Sequence, residues 1–520
     1  MSSKKQVYTH LSQHDQILKR PAQHIGSIKT EQHAVWIEEP DLDGRLRICK
    51  KEIEFNPGLI HIFYEILSNA QDNYFRSIGT EHPLKKIEIT IADDGLVTVW
   101  NDGLAIPTRI HKWKAGEEKI AETIYEATLI FGVLNSSGNY GNADNVEDRR
   151  GGGLHGHGAK LTNIFSREFH VETFDPDTVL KFQQSFSRNM RDHTEPKIKS
   201  LKQKKGWTQI SYIADFERFG VTGYTVEMLS AMRKLCIDAA MITGQNVILN
   251  GEKMPTRDLI DYSIAYTLPE TPRIEFKTAD SNIVICEKPN YEPGFAQVSF
   301  VNGINTVNGG VHVNVWKDAI FKPLLEKICN KFKSGRKSAG FKMTIKNLEN
   351  YLIIFIRCNL QNPNFQGQTK ETLVGPAPNI ESAVTPGKIA GMLRWPFIQE
   401  IENNIELASL KELQKTNGNK TRNISGVSGA DDATKAGTAA SDKCTLYICE
   451  GLSAKTFVVK GLSTIPEGRN FVGILPIRGK LLNVRDANPT QISENKEISN
   501  IIKILGLKHG TDYSDDKNSK

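Results

Sequence analysis

Apolar residues at Leu59, Ile62, Phe63, Ile66, Leu67 and Ala70 repeat at the i, i+3, i+4, i+7 spacing of a helix with one buried stripe. They predict an amphipathic helix from Pro57 to Ser77. A hairpin follows: Ile87, Ile89 and Ile91 alternate with polar residues, Asp94-Gly95 turns the chain, and Val97 and Val99 alternate again. Before the long helix the chain reads as irregular, with a short helical pattern over His14 to Arg20. A polar, glycine-rich segment spans Asn135 to Gly158, and further strand-like and helical patterns continue to about residue 250. From there to about 400 the pattern is mixed α/β, with strands expected at Ala296–Val301 and Tyr351–Arg357. Residues 416–443 are rich in Gly, Ser, Thr, Asn and Ala and read as a linker. Beyond it, Cys444 to Cys449 reads as a short buried strand and Glu497 to Ile504 as a helix. No internal repeat is visible.

Bulk properties narrow the class. A chain of 520 residues suggests roughly three domains. Its 39% hydrophobic and 24% charged residues give a normal globular composition. No apolar run approaches the ~18 residues a membrane span needs, and the polar N-terminus leads into no secretory h-region, so an intracellular chain is expected. The seven cysteines have no CxxC spacing and read as free buried thiols. The net charge of +6 permits a nucleic-acid partner without indicating one, so clustering of charge carries more information.

Three segments carry candidate chemistry. On the 57–77 helix, Glu65, Asn69, Asp72 and Asn73 fall at i, i+4, i+7, i+8, which sets acids and amides along one side. A carboxylate there can take a proton from an attacking water, and an amide oxygen can ligate Mg²⁺; taken alone, however, the stripe is better explained as a solvated helix face. After the hairpin, Asn101-Asp102-Gly103 ends a strand where an Asn or Asp can accept from an exocyclic amine and a glycine admits a ring close to the backbone. A simple polar turn is the plainer explanation. Gly151 to Lys160 bares backbone N–H groups at what reads as a helix start, a place suited to phosphates, though a flexible loop would look the same.

Taken in order, E-x-x-x-N-x-x-D-N, N-D-G-x-x-I-P and G-x-G-A-K resemble the GHKL ATPase family, which includes type II topoisomerases, Hsp90 chaperones, MutL proteins and histidine kinases. The resemblance implies a Bergerat-type α/β sandwich that binds ATP with Mg²⁺. It casts Glu65 as general base, Asn69 as Mg²⁺ ligand, and Asp72, Asn73 and Asn101 as lining of the adenosine pocket. Ser136, Ser137, His155, Gly156, His157, Gly158, Ala159 and Lys160 complete the implied ATP site.

Within that family the chain looks like eukaryotic-type DNA topoisomerase II. The stretch Tyr8 to Ser27 resembles its N-terminal strap; Ile130-Phe131-Gly132 and Leu161 to Ser166 match further stretches. Phe300-Val301-Asn302-Gly303 and Gly309-Gly310-Val311-His312 resemble its transducer domain. The Gln368-Thr369-Lys370 triplet resembles the loop that returns to the ATPase domain, where the lysine meets the γ-phosphate. An ammonium there stabilises charge in phosphoryl transfer. Glu450 to Lys455 and Pro476 to Asn483 resemble the first part of a TOPRIM domain, in which Glu450 would hold Mg²⁺ with carboxylates of a D-x-D that does not occur before the chain ends. Lys331, Lys333, Arg336, Lys337 and Lys342 match in position a basic transducer loop that meets DNA; such a cluster neutralises phosphates without reading sequence, although a solvated basic face is the alternative.

Three departures stand out: Leu154 and His155 where the family has Arg and Asn, Ala105 where it has Gly, and Leu452 where it has the TOPRIM Asp. His155 and His157 lack the further ligands of a metal site. The departures hint at a divergent lineage, such as a large DNA virus.

The expected organisation is a GHKL ATPase domain with its strap over 1–250, a mixed α/β transducer domain over 251–405, a linker over 406–443 and an incomplete α/β TOPRIM domain over 444–520. The expected function is the ATP-hydrolysing gate of a type II topoisomerase that dimerises on ATP binding and captures duplex DNA, in the nucleus or, for a viral protein, in host cytoplasm or virion. The DNA-cleaving tyrosine would come from the rest of the protein or a partner subunit, and the stop within a domain favours a fragment. An ATP-responsive DNA clamp or split-enzyme subunit with little turnover is the alternative; a GHKL chaperone fits the later motifs poorly.

Overall fold

A computed structural model describes residues 11–40, 44–113, 120–136, 158–289, 293–333, 343–367, 370–380, 382–414, 427, 429–484, 487 and 489–514. The chain forms two compact units, one of residues 1–321 with 349–388, the other of 322–348 with 389–520.

The first unit opens with helix α1 (Gln13–Lys19), capped by Ser12, and a hairpin of β1 (Glu31–Glu38) and β2 (Ile48–Phe55). The predicted long helix is α2, Pro57–Ser77. Its start is set by Asn56, whose side-chain oxygen accepts from Leu59 N at 3.1 Å, with Pro57 in the first turn where no N–H is needed. The same amide donates to Ile28 O at 2.8 Å and Phe219 O at 3.2 Å. One fully buried side chain thus ties together the strap, the helix and a loop 163 residues away.

The central sheet has nine strands: β3 (Lys86–Ile91), β4 (Leu96–Asp102), β5 (Ser166–Asp175), β6 (Leu180–Ser187), β7 (Asp192–His193), β8 (Lys197–Ser200), β9 (Trp207–Ala214), β10 (Asn246–Leu249) and β11 (Glu252–Lys253). Their order is β11-β10-β3-β4-β9-β5-β6-β7, with β8 also on β6; only β10 and β3 run parallel among these pairs. The β3–β4 turn is the expected one: Asp94 Oδ1 accepts from Leu96 N at 3.0 Å and Gly95 takes φ +86°. Alternate residues of β9 are buried, and this face carries α2, α3 (Glu126–Gly132), α4 (Gly158–Ile164) and α5 (Val226–Thr243). The result is the expected α/β sandwich.

A five-stranded sheet in the same unit has the order β12-β13-β16-β14-β15, from β12 (Arg273–Lys277), β13 (Ser281–Glu287), β14 (Ala296–Val301), β15 (Ile304–Asn305) and β16 (Leu352–Cys358). Helix α6 (Leu259–Tyr266) and the part of α7 (Val311–Lys333) up to Phe321 lie in the same unit, and β17 (Asn364–Gln366) and β18 (Thr372–Gly375) form a small separate hairpin. The two sheets of this unit are joined at α5. Arg357 of β16 donates to the α5 carbonyls of Met241 and Ile242 at 3.0 and 3.3 Å, satisfying acceptors the helix end leaves open. Deeper in, Asp238 of α5 accepts from Lys234 at 2.7 Å and from the Tyr262 hydroxyl of α6 at 2.6 Å, and Tyr262 hydrogen-bonds Tyr266 at 2.7 Å. Burial pushes the Asp238 carboxyl up, against the pull of Lys234 and Tyr262.

In the second unit, β19 (Thr445–Glu450) and β20 (Val472–Ile477) pair in parallel, joined through a helix at Gly451–Leu462. The strand expected at 444–449 is therefore present, but its side chains are exposed or half-buried, so the apolar run does not mark a buried strand. Asp431 bridges to Ile474 on the other side of β20. The expected helix near the end is Lys496–Leu505, capped by Asn495 and closed by Gly506 at φ +65°.

Asn56→Ala removes the α2 cap together with two long-range hydrogen bonds at a fully buried site. It is expected to cost roughly 2–4 kcal/mol of the first unit's stability, read as a lower urea midpoint with little change in slope.

Candidate functional site

Glu65 lies midway along α2, partly buried, with two different neighbours for its two oxygens. Oε1 sits 3.1 Å from His61 Nε2, one helical turn earlier. Oε2 faces Gly158, the first residue of α4, so closely that any Cβ there would overlap the carboxylate. The α2–α4 contact therefore requires glycine at this position. Burial pushes the Glu65 carboxyl up, but the His61 hydrogen bond, the charge of a protonated His61 ring and the charge of Lys370 together hold it below the usual carboxylate range. Lys370 is 305 positions away in sequence and reaches this neighbourhood from the segment before β18. Its backbone is left-handed, φ +57°.

Asn69 is exposed one turn beyond Glu65 on the same side of α2, and its side chain makes no hydrogen bond to another of the described residues. Asp72 is partly buried. Asn73 is buried and wholly occupied: its Nδ2 donates to Leu104 O at 2.6 Å and its Oδ1 accepts from Leu104 N at 3.1 Å. Gly103 at φ +112° lies against that amide, and a Cβ there would come 2.5 Å from Asn73 Oδ1. Asn101, buried at the end of β4, donates to Asp102 O at 2.8 Å and keeps its carbonyl oxygen for another donor. Asp102 is engaged elsewhere, accepting from the backbone N–H groups of Lys85 and Lys86 at 2.8 Å. The N-D-G segment thus splits into one buried residue with an amide oxygen left over and two that build the turn.

Lys160 is almost fully buried in α4. Its ammonium donates to both the carbonyl and the hydroxyl of Ser136, the latter at 2.8 Å. Burial lowers its pKa to about 8. Ala159 is buried beside it. Ser137, His155, Gly156, His157 and Gln368 lie outside the described residues.

Glu450 ends the parallel strand β19 and is exposed; among the described residues no three His, Cys, Asp or Glu side chains converge as a metal site. Lys455 donates to Gly429 O at 2.7 Å and pairs with Asp431 at 3.2 Å. Of the basic cluster, Lys331 and Lys333 lie on the last turn of α7, which runs further than the expected loop allows. Lys331 stands over the Phe332 ring at 5.5 Å. Arg336, Lys337 and Lys342 lie outside the described residues.

His61 was not picked out by the motifs. The signal was there: it sits at i−4 from Glu65, the spacing at which helical side chains meet.

An α/β sandwich with an acid-bearing helix against a glycine-started helix defines the GHKL class. Comparisons with known proteins narrow the class. The DNA gyrase B family model matches residues 269–404. DNA topoisomerase 2 of Invertebrate iridescent virus 6 is 34% identical over 100% of this chain and 46% of its own length. The Saccharomyces cerevisiae enzyme of the same name is 36% identical over 98% of this chain and 35% of its own length. Among solved structures, the ATPase region of S. cerevisiae topoisomerase II bound to ICRF-187 has 31% identity and a TM-score of 0.63, covering 76% of this chain and 99% of that one. The ATPase and transducer domains of topoisomerase II from Balamuthia mandrillaris give 29% identity and a TM-score of 0.66, with 78% and 99% covered. The chain belongs to the DNA topoisomerase II family, and it spans less than half the length of these full-length relatives. No helix among the described residues is long and apolar enough to cross a membrane.

If Lys160 holds phosphate as a cation, its lowered pKa has a measurable consequence. An anion favours the charged form, so nucleotide binding draws a proton onto the lysine near and above pH 8, and affinity falls as pH rises through that value. Calorimetry in buffers of different ionisation heat is expected to show this uptake, and Lys160→Arg is expected to abolish it.

Proposed function

We propose that the first unit is an ATPase and that it serves as the ATP-operated N-terminal gate of a type II DNA topoisomerase. The observation that carries this reading is the convergence at Glu65. A carboxylate kept ionised by His61 and by the charge of Lys370 stands against the start of α4. Glu65 takes the proton of the attacking water, and His61 orients its carboxylate. Lys370, with Gln368 of the same loop, stabilises the negative charge gathering on the γ-phosphate. Gly158, Ala159 and Lys160, with Ser136, Ser137 and residues 155–157, hold the phosphates.

Asn101 offers its carbonyl oxygen to the adenine amine. Asp72 borders the adenosine, and Asn73 shapes that wall by fixing the turn at Gly103 and Leu104. Asn69 presents an exposed amide oxygen where a Mg²⁺ shared with the phosphates would need one, which fits an ion that takes few protein ligands. Bound there, Mg²⁺ would neutralise phosphate charge. Glu450, at the end of a parallel strand, is assigned to a second Mg²⁺ site whose other carboxylates lie on another part of the enzyme.

ATP binding pairs two such units into a closed gate around a DNA duplex, and hydrolysis reopens it. Lys331, Lys333, Arg336, Lys337 and Lys342 meet the phosphates of the captured duplex. DNA cleavage belongs to other domains of the whole enzyme. The Hsp90-type alternative lapses with the family assignment.

Glu65→Gln is expected to lower ATP turnover by roughly 100-fold or more while nucleotide binding survives; full turnover in that variant would remove Glu65 as base. His61→Ala takes away the contact that lowers the Glu65 pKa most, leaving only the charge of Lys370 against burial. The acid limb of the ATPase pH profile is therefore expected to move to higher pH. Duplex DNA is expected to stimulate turnover, with a stimulation that fades along a salt series as counterion release predicts. Stimulation indifferent to salt would argue against the basic cluster as the DNA contact.

A further inference from the structure

Lys370 has to be held where it acts, and the structure shows by what. A left-handed lysine persists only where its neighbours fix it. Directly after it, the chain is seated on the loop Thr306–Gly310. Asn308 N donates to Glu371 O at 3.0 Å, and Leu373 N donates to Gly309 O at 3.0 Å. The Asn308 side chain adds a second link, Nδ2 donating to the Glu371 carboxylate at 2.9 Å. Gly310, at φ +138°, lies so close to Leu373 that a Cβ would overlap its backbone.

The loop is braced from behind. Gln297 of β14 donates to the carbonyls of Thr306 and Val307 at 3.2 and 2.8 Å. The buried Thr306 hydroxyl hydrogen-bonds Ser299 at 2.5 Å and His312 of α7 at 3.0 Å. Burial lowers the His312 pKa to about 4, so this brace stays uncharged near neutral pH. A continuous set of hydrogen bonds therefore runs from β14 and α7, through Thr306–Gly310, to the residue after Lys370.

We propose that the Thr306–Gly310 loop is a bracket that sets the position of Lys370, with Asn308 as a positioning residue acting through Glu371. This rests on the reading of Lys370 as the γ-phosphate cation. The bracket makes the lysine's placement answer to the β14–α7 core and not to the β17–β18 hairpin alone.

The test exchanges donor and acceptor. Asn308→Asp sets two carboxylates face to face; adding Glu371→Gln restores an amide-to-carboxylate hydrogen bond in the opposite sense. In the full chain, Asn308→Asp is expected to lower kcat by roughly three- to tenfold with KM for ATP nearly unchanged, and Gly310→Ala by more, since small misplacements of an aligned group are costly. Amide exchange over residues 371–375 is expected to speed up in Asn308→Asp and return to the wild-type rate in the double variant, together with kcat. Unchanged exchange and kcat in Asn308→Asp, or a double variant as impaired as the single one, would overturn the bracket. Glu65→Gln run alongside separates the causes. If it turns over ATP at the wild-type rate, the active-site reading and the bracket fall together. If it is inactive while Asn308→Asp and Gly310→Ala keep full turnover and wild-type exchange, the bracket alone falls.

Discussion

A carboxylate in a partly buried site stays charged only if its surroundings offset the cost of burial, and several parts of the first unit meet that constraint at Glu65. His61 answers it from the same helix, Gly158 yields the space beside it by having no side chain, and Lys370 brings positive charge from a segment three hundred residues later. Each contribution comes from a different part of the chain, so the carboxylate's state reports on whether those parts are in place. An isolated α2 would have the acid and the histidine but neither the glycine wall nor the lysine.

The junction at α5 shows the same economy. Lys234, Asp238 and Tyr262 satisfy one another where water is excluded, and Arg357 closes the carbonyls at the helix end. A buried ion pair of this kind adds little net stability over apolar packing, yet removing one member leaves the other stranded. Its value is therefore geometric: it allows one arrangement of α5 against α6 and penalises others.

Local periodicity made much of the fold legible. The limits of α2, the Asp94-Gly95 hairpin and the strands at 296–301 and 352–358 follow from spacing and turn chemistry that act over a few residues. The exposure of β19 did not follow, because an apolar strand and a buried strand read alike until its neighbours are known. At the site, the side of α2 bearing Glu65, Asn69, Asp72 and Asn73 was visible from its period. The occupation of Asn73 by Leu104 and the engagement of Asp102 with Lys85 and Lys86 were not, since both depend on contacts across 16 to 31 residues that no pattern encodes. His61 is the instructive case: its spacing was legible, but a histidine on a helix acquires meaning only once its partner has one.

The buried amide of Asn56 governs more than a helix end. It needs Phe219 O, and β3 needs β10 beside it, so the first unit's earliest elements are completed by residues 219 and 246–249. A chain emerging from the ribosome N-terminus first can form α2 as a fluctuating helix, but it cannot lock that helix until more than two hundred residues are out. The unfinished sheet then presents an open β3 edge throughout that interval, which makes this stretch of synthesis the period in which the nascent protein most needs protection from pairing with a neighbour.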